Sequence, residues 1–135
     1  MRASVLLPAL LLLAALPGCA SSGPPAVASG IDTTGDLVEY LNARGYVPRP
    51  AGVTVPLALD VAAQTYTLEG SDALLAVYEF DTARAAERGA DAFQLDTFGG
   101  GQAVLYQRGV LVVASSGGDA TLELTLTRAL GPASY

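Results

Sequence analysis

The chain lacks two side chains on which much protein chemistry depends: it contains no histidine and no lysine, and it has a single cysteine. A serine or cysteine nucleophile normally needs a neighbouring base, which is most often histidine. Histidine and cysteine are also the usual ligands of transition metals, and the sequence has no acidic calcium-binding loop. The sequence therefore predicts no catalytic residue, no metal site and no cofactor.

Positive charge is also scarce. The formal net charge is −6, and all seven cationic side chains are arginines. Binding to nucleic acid and electrostatic docking on anionic lipid both depend on clusters of lysine and arginine. Because the arginines are scattered along the sequence, we expect neither nucleic acid nor a charge-attracted membrane surface as a partner.

One long apolar run is present, and it stands at the N-terminus. Met1 and Arg2 give a positively charged start, residues 5–16 are predominantly apolar, and the run ends in small residues. This is the layout of a secretory signal peptide. A membrane-spanning helix needs about 20 apolar residues, so the run is too short to favour one. We predict a signal peptide over residues 1–18.

The single cysteine follows this run directly, in Leu16-Pro17-Gly18-Cys19. The tetrapeptide resembles the lipobox of bacterial lipoproteins, in which Leu, a small residue and Gly or Ala precede the modified Cys. The resemblance implies a diacylglycerol thioether on Cys19, cleavage before it and acylation of the freed amine. Two or more acyl chains anchor a protein stably in a membrane, whereas one binds only marginally. The alternative is an ordinary signal peptide with a chance cysteine.

The residue after the cysteine bears on the destination of the protein. In lipoproteins of two-membrane bacteria, aspartate at this position favours retention in the inner membrane, and Ala20 resembles the exported kind. The expected location is the cell envelope, with the lipid on Cys19 as the membrane contact. The outer membrane is favoured over the outer face of the inner membrane.

Residues 19–31 are predicted as the lipidated cysteine and a flexible tether, because residues 20–30 are small, uncharged and rich in Gly, Ser and Pro. Residues 32–135 suit a single domain. Its capping residues, apolar spacing and turns predict an α+β fold in the order α-β-β-α-β-β-α. Two hairpins would form an antiparallel sheet of about four strands, with the helices packed on one face. The predicted helices cover residues 35–44, 82–93 and 121–130, and the predicted strands cover residues 65–68, 74–80, 103–107 and 110–115.

Two segments of this domain are ambiguous. Residues 46–56 contain Pro48 and Pro50, which favours an irregular connection with at most one edge strand. Residues 121–127 alternate Thr and Leu as a strand would, except at Glu123. A capping Asp119 before them and Gly131 after them favour a helix instead.

The layout of the domain also resembles small uncharacterised bacterial lipoproteins. These share a short capped helix that ends in Gly-Tyr, a hairpin that ends in Tyr-x-Phe or Tyr-x-Tyr, and a terminal helix that closes with Leu-Gly. The matching residues are Gly45-Tyr46, Tyr78-Glu79-Phe80 and Leu130-Gly131. The resemblance covers most of the mature chain, and it implies no particular activity.

Three groups of residues are candidates for chemistry at the level of sequence. Ser115-Ser116-Gly117-Gly118 is predicted to be a strand-to-helix turn, and the alternative is an anion site at the start of the last helix. Residues 98–101 lack the Lys and Ser or Thr of a phosphate loop, so a flexible loop is predicted there. Two carboxylate pairs would suit glycan hydrolysis if they faced one cleft, although a solvated acidic surface is favoured. These pairs are Glu69 with Asp72 and Glu79 with Asp81.

The tyrosines give the remaining indication of function. Aromatic residues with a polar tip suit both the edge of a core and a contact with another protein, and the core edge is the favoured role here. The residues concerned are Tyr40, Tyr46, Tyr66, Tyr78 and Tyr106. If the protein has a contact surface for a partner, we expect it at Tyr46 and Arg49 in the Pro-rich connection.

Together these features predict a membrane-anchored lipoprotein of the cell envelope that acts as a non-catalytic binding or adaptor module. An envelope protein or another envelope component would be its partner. Two alternatives remain at this stage. One is a carboxylate-dependent hydrolase of cell-wall glycan, and the other is a structural envelope lipoprotein without a defined ligand.

Overall fold

Strands dominate the centre of the chain, and helices stand at both ends of the fold. A computed structural model describes residues 26–54, 59–93, 98 and 102–134. Over these residues it shows an α+β fold with three helices and five strands, so the predicted fold class is confirmed. The elements are α1 (Thr34–Asn42), β1 (Pro48–Thr54), β2 (Ala63–Leu68), β3 (Leu74–Glu79), α2 (Ala83–Asp91), β4 (Ala103–Arg108), β5 (Leu111–Ser116) and α3 (Ala120–Leu130).

The strands form one antiparallel sheet in the order β1-β2-β3-β5-β4. The two predicted hairpins are present as β2–β3 and β4–β5. The segment over residues 121–130, for which the helix was favoured, lies in α3. After β3 the chain forms α2 and then β4 at the edge of the sheet. It returns as β5, which lies between β4 and β3.

The sheet has five strands where about four were predicted, because the Pro-rich connection, for which one edge strand was left open, forms β1 at the edge. The carbonyl of Val47 accepts a hydrogen bond from the Glu69 N–H at 3.1 Å, so residue 47 directs its backbone groups towards β2. Backbone groups alternate along a strand, and those of Pro48 and Pro50 therefore face outwards. Proline has no N–H to donate, and the outer side of an edge strand requires none.

The expectation that all helices pack on one face was also wrong. Residues Leu75 and Val77 of β3 pack with α1 and α3, whereas the alternate residues Ala76 and Tyr78 pack with α2 on the other face. Both central strands, β3 and β5, are buried almost throughout. A strand that is apolar on both sides has to be covered on both sides, which is why the helices divide between the two faces.

Side-chain caps fix where the helices begin. Thr33 and Asp36 form a reciprocal capping box at α1, and Asp119 caps α3 as predicted. Helix α2 is capped by Thr82, whose hydroxyl oxygen accepts from the Ala85 N–H at 3.1 Å. The Thr, Asp and Ser class of caps satisfies backbone N–H groups that lack partners within the helix.

The folded body begins before residue 32. Ile31 is 3% exposed and belongs to the core under α1 and α3, and the Ala28 N–H donates to the Arg128 carbonyl at 2.7 Å. Both residues were predicted as tether, so the last part of that segment is packed against the domain. At the other end of the described chain, the Ser134 N–H donates to the Leu105 carbonyl of β4 at 2.7 Å.

Candidate functional site

A cleft of about 300 Å³ lies at one end of the α2 face of the sheet. Three parts of the chain form it: the segment before β2, the end of β3 and the inner side of α2. Its apolar lining consists of Leu59, Val61, Phe80, Ala85 and Gly89, and its charged side chains are Asp60, Asp81 and Arg88. The volume is at the lower end of the range for small-molecule sites.

The floor of the cleft depends on a close contact between Phe80 and Gly89. A Cβ atom at position 89 would lie 2.9 Å from Cε1 and 3.1 Å from Cε2 of the Phe80 ring. Glycine therefore lets α2 approach the ring where any other residue would hold it away. Phe80 is 8% exposed, and its N–H donates to the Val110 carbonyl at 2.9 Å, so the ring is held from the sheet side as well.

The charged side chains of the cleft are exposed and of both signs. The carboxylates of Asp60 and Asp81 can accept hydrogen bonds from a ligand and the guanidinium of Arg88 can donate them, and the three side chains together carry a net charge of −1. The described lining residues contain no hydroxyl, thiol or imidazole that could act as a nucleophile or base. The arrangement suits binding of a ligand with an apolar part and polar groups at its edge.

The two residues predicted as a partner contact do not share one surface. Arg49 donates through Nε and Nη2 to Oε2 of Glu69, at 3.0 and 2.6 Å, in an exposed ion pair. Arg49 pairs with Thr67 across the sheet, whereas its neighbours Pro48 and Pro50 pair with Leu68 and Tyr66 of the α1 face. Arg49 therefore lies on the face of α2.

Tyr46 lies on the opposite side from Arg49. It is partly buried against the core under α1 and α3, and its N–H donates to the Leu41 carbonyl at 3.1 Å, which continues the end of α1. An exposed ion pair such as that of Arg49 contributes little stability, typically about 1 kcal/mol or less. Tyr46 therefore belongs to the packing of the fold, whereas Arg49 forms an ion pair in contact with solvent.

The four carboxylates considered for glycan hydrolysis lie in two separate places. Glu69 and Asp72 flank the turn between β2 and β3, whereas Glu79 and Asp81 follow at the far end of β3, about 20 Å away along the strand. Glu79 has a structural contact, since its Oε2 accepts from the N–H and the hydroxyl of Thr34 at 2.9 and 2.8 Å. Its negative charge thereby stabilises the N-terminus of α1.

The predicted turn over residues 115–118 leads directly into α3. Gly117 has φ +73°, and a Cβ there would lie 2.6 Å from the Asp72 carbonyl oxygen, so glycine is required both by conformation and by space. The Asp119 carboxylate accepts from the Leu122 N–H at 2.8 Å. A carboxylate thus already occupies the end of the helix, and this disfavours the anion site considered as the alternative.

Most tyrosines belong to the core. Tyr66, Tyr78 and Tyr106 are buried, and burial raises the pKa of each phenol, that of Tyr78 to about 12. Tyr40 lies under the guanidinium of Arg44, with 3.4 Å between Cζ and the ring centroid, and its hydroxyl has no hydrogen-bond partner among the described residues. These placements agree with the core-edge role.

Several predicted features lie outside the described residues. These are the signal peptide, Cys19, residues 20–25 of the tether and residues 99–101 of the glycine-rich loop. Within the described ranges, no group of three or more Asp, Glu, His or Cys side chains is placed to hold a metal ion. Across the same part of the chain, each helix is too short or too polar to cross a membrane.

Comparison of the chain with protein-family models, curated proteins and solved structures finds no match. The case for a function therefore rests on the residues themselves. The cleft was not foreseen from the sequence, because it depends on three segments that are distant along the chain. One signal was present: Gly89 stands in the interior of a helix at a cost of about 1 kcal/mol relative to Ala, which often marks a close packing contact.

Proposed function

We propose that this chain is a lipid-anchored protein of the bacterial cell envelope that acts as a non-catalytic binding module. The observation that carries the proposal is Leu16-Pro17-Gly18-Cys19 at the end of a short apolar run, with the only thiol of the chain in the modified position. Lipid on Cys19 would hold the protein at a membrane, with the outer membrane favoured because Ala20 follows the cysteine.

The position of the folded body supports this arrangement. Its packed part begins at about Ala28, which is hydrogen-bonded to α3, so that eight residues separate Cys19 from the first such contact. The core on both faces of the sheet comes from residues after this point. The body therefore has its own core and needs no membrane to complete it.

The cleft beside α2 is the proposed binding site. It combines an apolar floor with exposed side chains of both charges, and its described lining holds no hydroxyl, thiol or imidazole beside the carboxylates of Asp60 and Asp81. The four carboxylates considered for glycan hydrolysis lie in two separate places, and this gives no support to that alternative. A structural lipoprotein would need no such cleft, so ligand or partner contact at this site distinguishes the two remaining roles.

The anchor is tested by Cys19→Ser, expressed in a two-membrane bacterium beside the parent and a matched control, Ser21→Ala. We expect the parent and the control to fractionate with membranes and to yield a mature chain whose intact mass includes acyl chains on residue 19. We expect Cys19→Ser to lose both properties. An unmodified Cys19 in the parent, or membrane fractionation of Cys19→Ser equal to that of the parent, would contradict the proposal.

The binding site is tested by a photo-crosslinking residue at Val61, in the cleft, with the same residue at Val53 as control. Val53 is the more exposed position, at 64%, and lies on β1 away from α2. We expect a discrete adduct from Val61 in intact cells and none from Val53. Equal labelling at the two positions, or no adduct at either, would argue against a partner in the cleft.

A further inference from the structure

Two exposed large apolar side chains stand near the point where the chain enters the fold. Val27 is 44% exposed and Leu124 is 45% exposed. Ala28, next to Val27, is hydrogen-bonded to the carbonyl of Arg128, which stands one helical turn after Leu124 on α3. Four residues of helix rise by about 6 Å, so Leu124 is about one turn of helix from this hydrogen bond.

The length of chain before this surface limits which side of the body can reach a membrane. From Cys19 to Val27 there are eight residues, which span at most about 29 Å when fully extended. The inserted acyl chains therefore keep Val27 within that distance of Cys19, and the surface around the entry of the chain is the part of the body held nearest to the bilayer.

The outer side of α3 is chemically suited to the headgroup region. Around Leu124 it exposes Glu123 and Arg128, whose charges cancel, together with small or hydroxylated residues. Leu124 and the exposed Arg128 are compatible with a lipid interface, since an aliphatic side chain can enter it while a guanidinium remains at the headgroups.

We propose that the outer side of α3, with Val27 and Leu124, is the surface of the body that lies against the lipid bilayer. The inference rests on the proposed function, because the acyl chains on Cys19 bring this surface to the membrane. The sheet stands between α3 and α2, so the cleft then opens away from the lipid. The proposed occupant of the α3 surface is phospholipid, and neither a second copy of the chain nor another protein is required there.

The test uses the absence of tryptophan from the chain. Leu124→Trp is introduced into the full-length protein, and the lipidated product is purified and placed in phosphatidylcholine vesicles with or without bromine on the acyl chains. Glu87→Trp is the matched control, since Glu87 is exposed on α2, which packs on the other face of the sheet. Val27→Trp is a second reporter in case Leu124→Trp does not fold. In a parallel arm, the same variants from residue 19 onward are joined through the Cys19 thiol to a maleimide phospholipid.

We expect bromine to quench the tryptophan of Leu124→Trp, or that of Val27→Trp, about twofold more than the control in both arms, because bromine quenches tryptophan that lies within the interface. Quenching equal to that of the Glu87→Trp control would overturn the inference, and lipid on Cys19 in the mass spectrum would then leave the proposed function standing. A blue shift of the emission without bromine quenching would indicate a protein contact and would also overturn it. Absence of lipid on Cys19 in the cell-derived protein would refute the proposed function, and this inference with it.

Discussion

Replacing Gly89 by alanine separates what sequence predicts from what the packing predicts. Alanine is the better helix former, by about 1 kcal/mol in a helix interior, so propensity alone predicts that Gly89→Ala stabilises α2. The added Cβ, however, would lie 2.9 Å and 3.1 Å from two ring carbons of Phe80. Phe80 is only 8% exposed, so the buried ring or the helix has to shift before the added Cβ can fit.

The size of the effect follows from these two opposing terms. Forcing an extra methyl group into a packed core typically costs about 1 to 3 kcal/mol. Here the contact is with the edge of a rigid ring and involves several of its atoms, so we place the cost in the upper part of that range. After subtraction of the gain in helix propensity, we expect Gly89→Ala to lower the free energy of unfolding by about 1 to 2 kcal/mol.

Urea unfolding followed by far-ultraviolet circular dichroism measures this difference on the chain from residue 19 onward. The matched control is Gly35→Ala in α1, where the added Cβ would make an ordinary contact of 3.6 Å with the Thr33 hydroxyl. We expect the control to be neutral or to stabilise by up to about 0.5 kcal/mol, because position 35 is in the first helical turn.

A second background tests the cause. In Phe80→Leu the shorter side chain removes the ring atoms that meet the Cβ, so Gly89→Ala should become neutral or stabilising there. A sign reversal between the two backgrounds is the signature of a direct contact. If Gly89→Ala stabilises the parent protein, or destabilises both backgrounds equally, the assignment of Gly89 to the Phe80 contact is wrong.

Two further predictions concern the dependence of stability on pH. Burial raises the pKa of Tyr78 from 10.0 to about 12. The neutral phenol therefore stabilises the fold below pH 10. This contribution, about 3 kcal/mol, is lost as the pH rises to 12. Tyr78→Phe should therefore lose less unfolding free energy over that interval in alkaline titrations, and an unchanged slope would contradict the burial of the phenol. Hydrogen bonds from Thr33 and from the Asp32 N–H hold the pKa of Asp36 below 3.8. The ionised carboxylate therefore stabilises the fold above that pH. This stabilisation disappears as the pH falls through the lowered pKa of Asp36. The difference in stability between the parent and Asp36→Asn should then narrow below about pH 4 in acid unfolding, and a constant difference would refute the capping role.

The elements that could be predicted from sequence are those whose signals are local. Asp119, the apolar spacing after it and Gly131 define α3 without reference to the remainder of the fold. The two hairpins follow in the same way from short strands joined by turn residues. These signals lie within a few residues of the structures that they specify, so tertiary contacts did not alter them.

The same rules left the edge strand β1 undecided, because its prolines are informative only when the sheet is known. Pro48 and Pro50 are compatible with a strand since their backbone groups face away from β2. The same two residues in a central strand would each remove a ladder hydrogen bond. At the free edge they instead remove the donors that another chain would need to add a strand there.

The distribution of helices over both faces of the sheet could in principle have been predicted from the sequence. Residues 74–78 and 111–114 are continuous apolar runs rather than alternating ones, and such runs are typical of strands buried on both sides. The hairpin connections favoured an antiparallel sheet with one solvated face. The prediction followed these connections and not the continuous apolar runs. The continuous apolar runs of β3 and β5 were the better guide, since they indicate that both faces of each strand are covered.

The cleft lies beyond local reasoning for a different reason. Asp60, Asp81 and Arg88 have no motif in common and no regular spacing, and they meet only because α2 crosses the end of β3. The predicted contact residues show the complementary effect, since the structure places them on opposite faces of the sheet. Tyr46 and Arg49 are neighbours in sequence, but a strand directs alternate side chains to opposite faces.

The sheet divides the molecule into two layers of different composition. Large leucines of α1 and α3 pack on one face, where the chain enters the body at Ala28, whereas α2 packs on the other face through the small residues Ala86, Gly89 and Ala90. Small residues let a helix lie close to a sheet but bury less apolar area, so the α1 and α3 layer contributes more to stability. The α2 layer can therefore form a cleft, while the α1 and α3 layer provides most of the stability and binds the segment at Ala28.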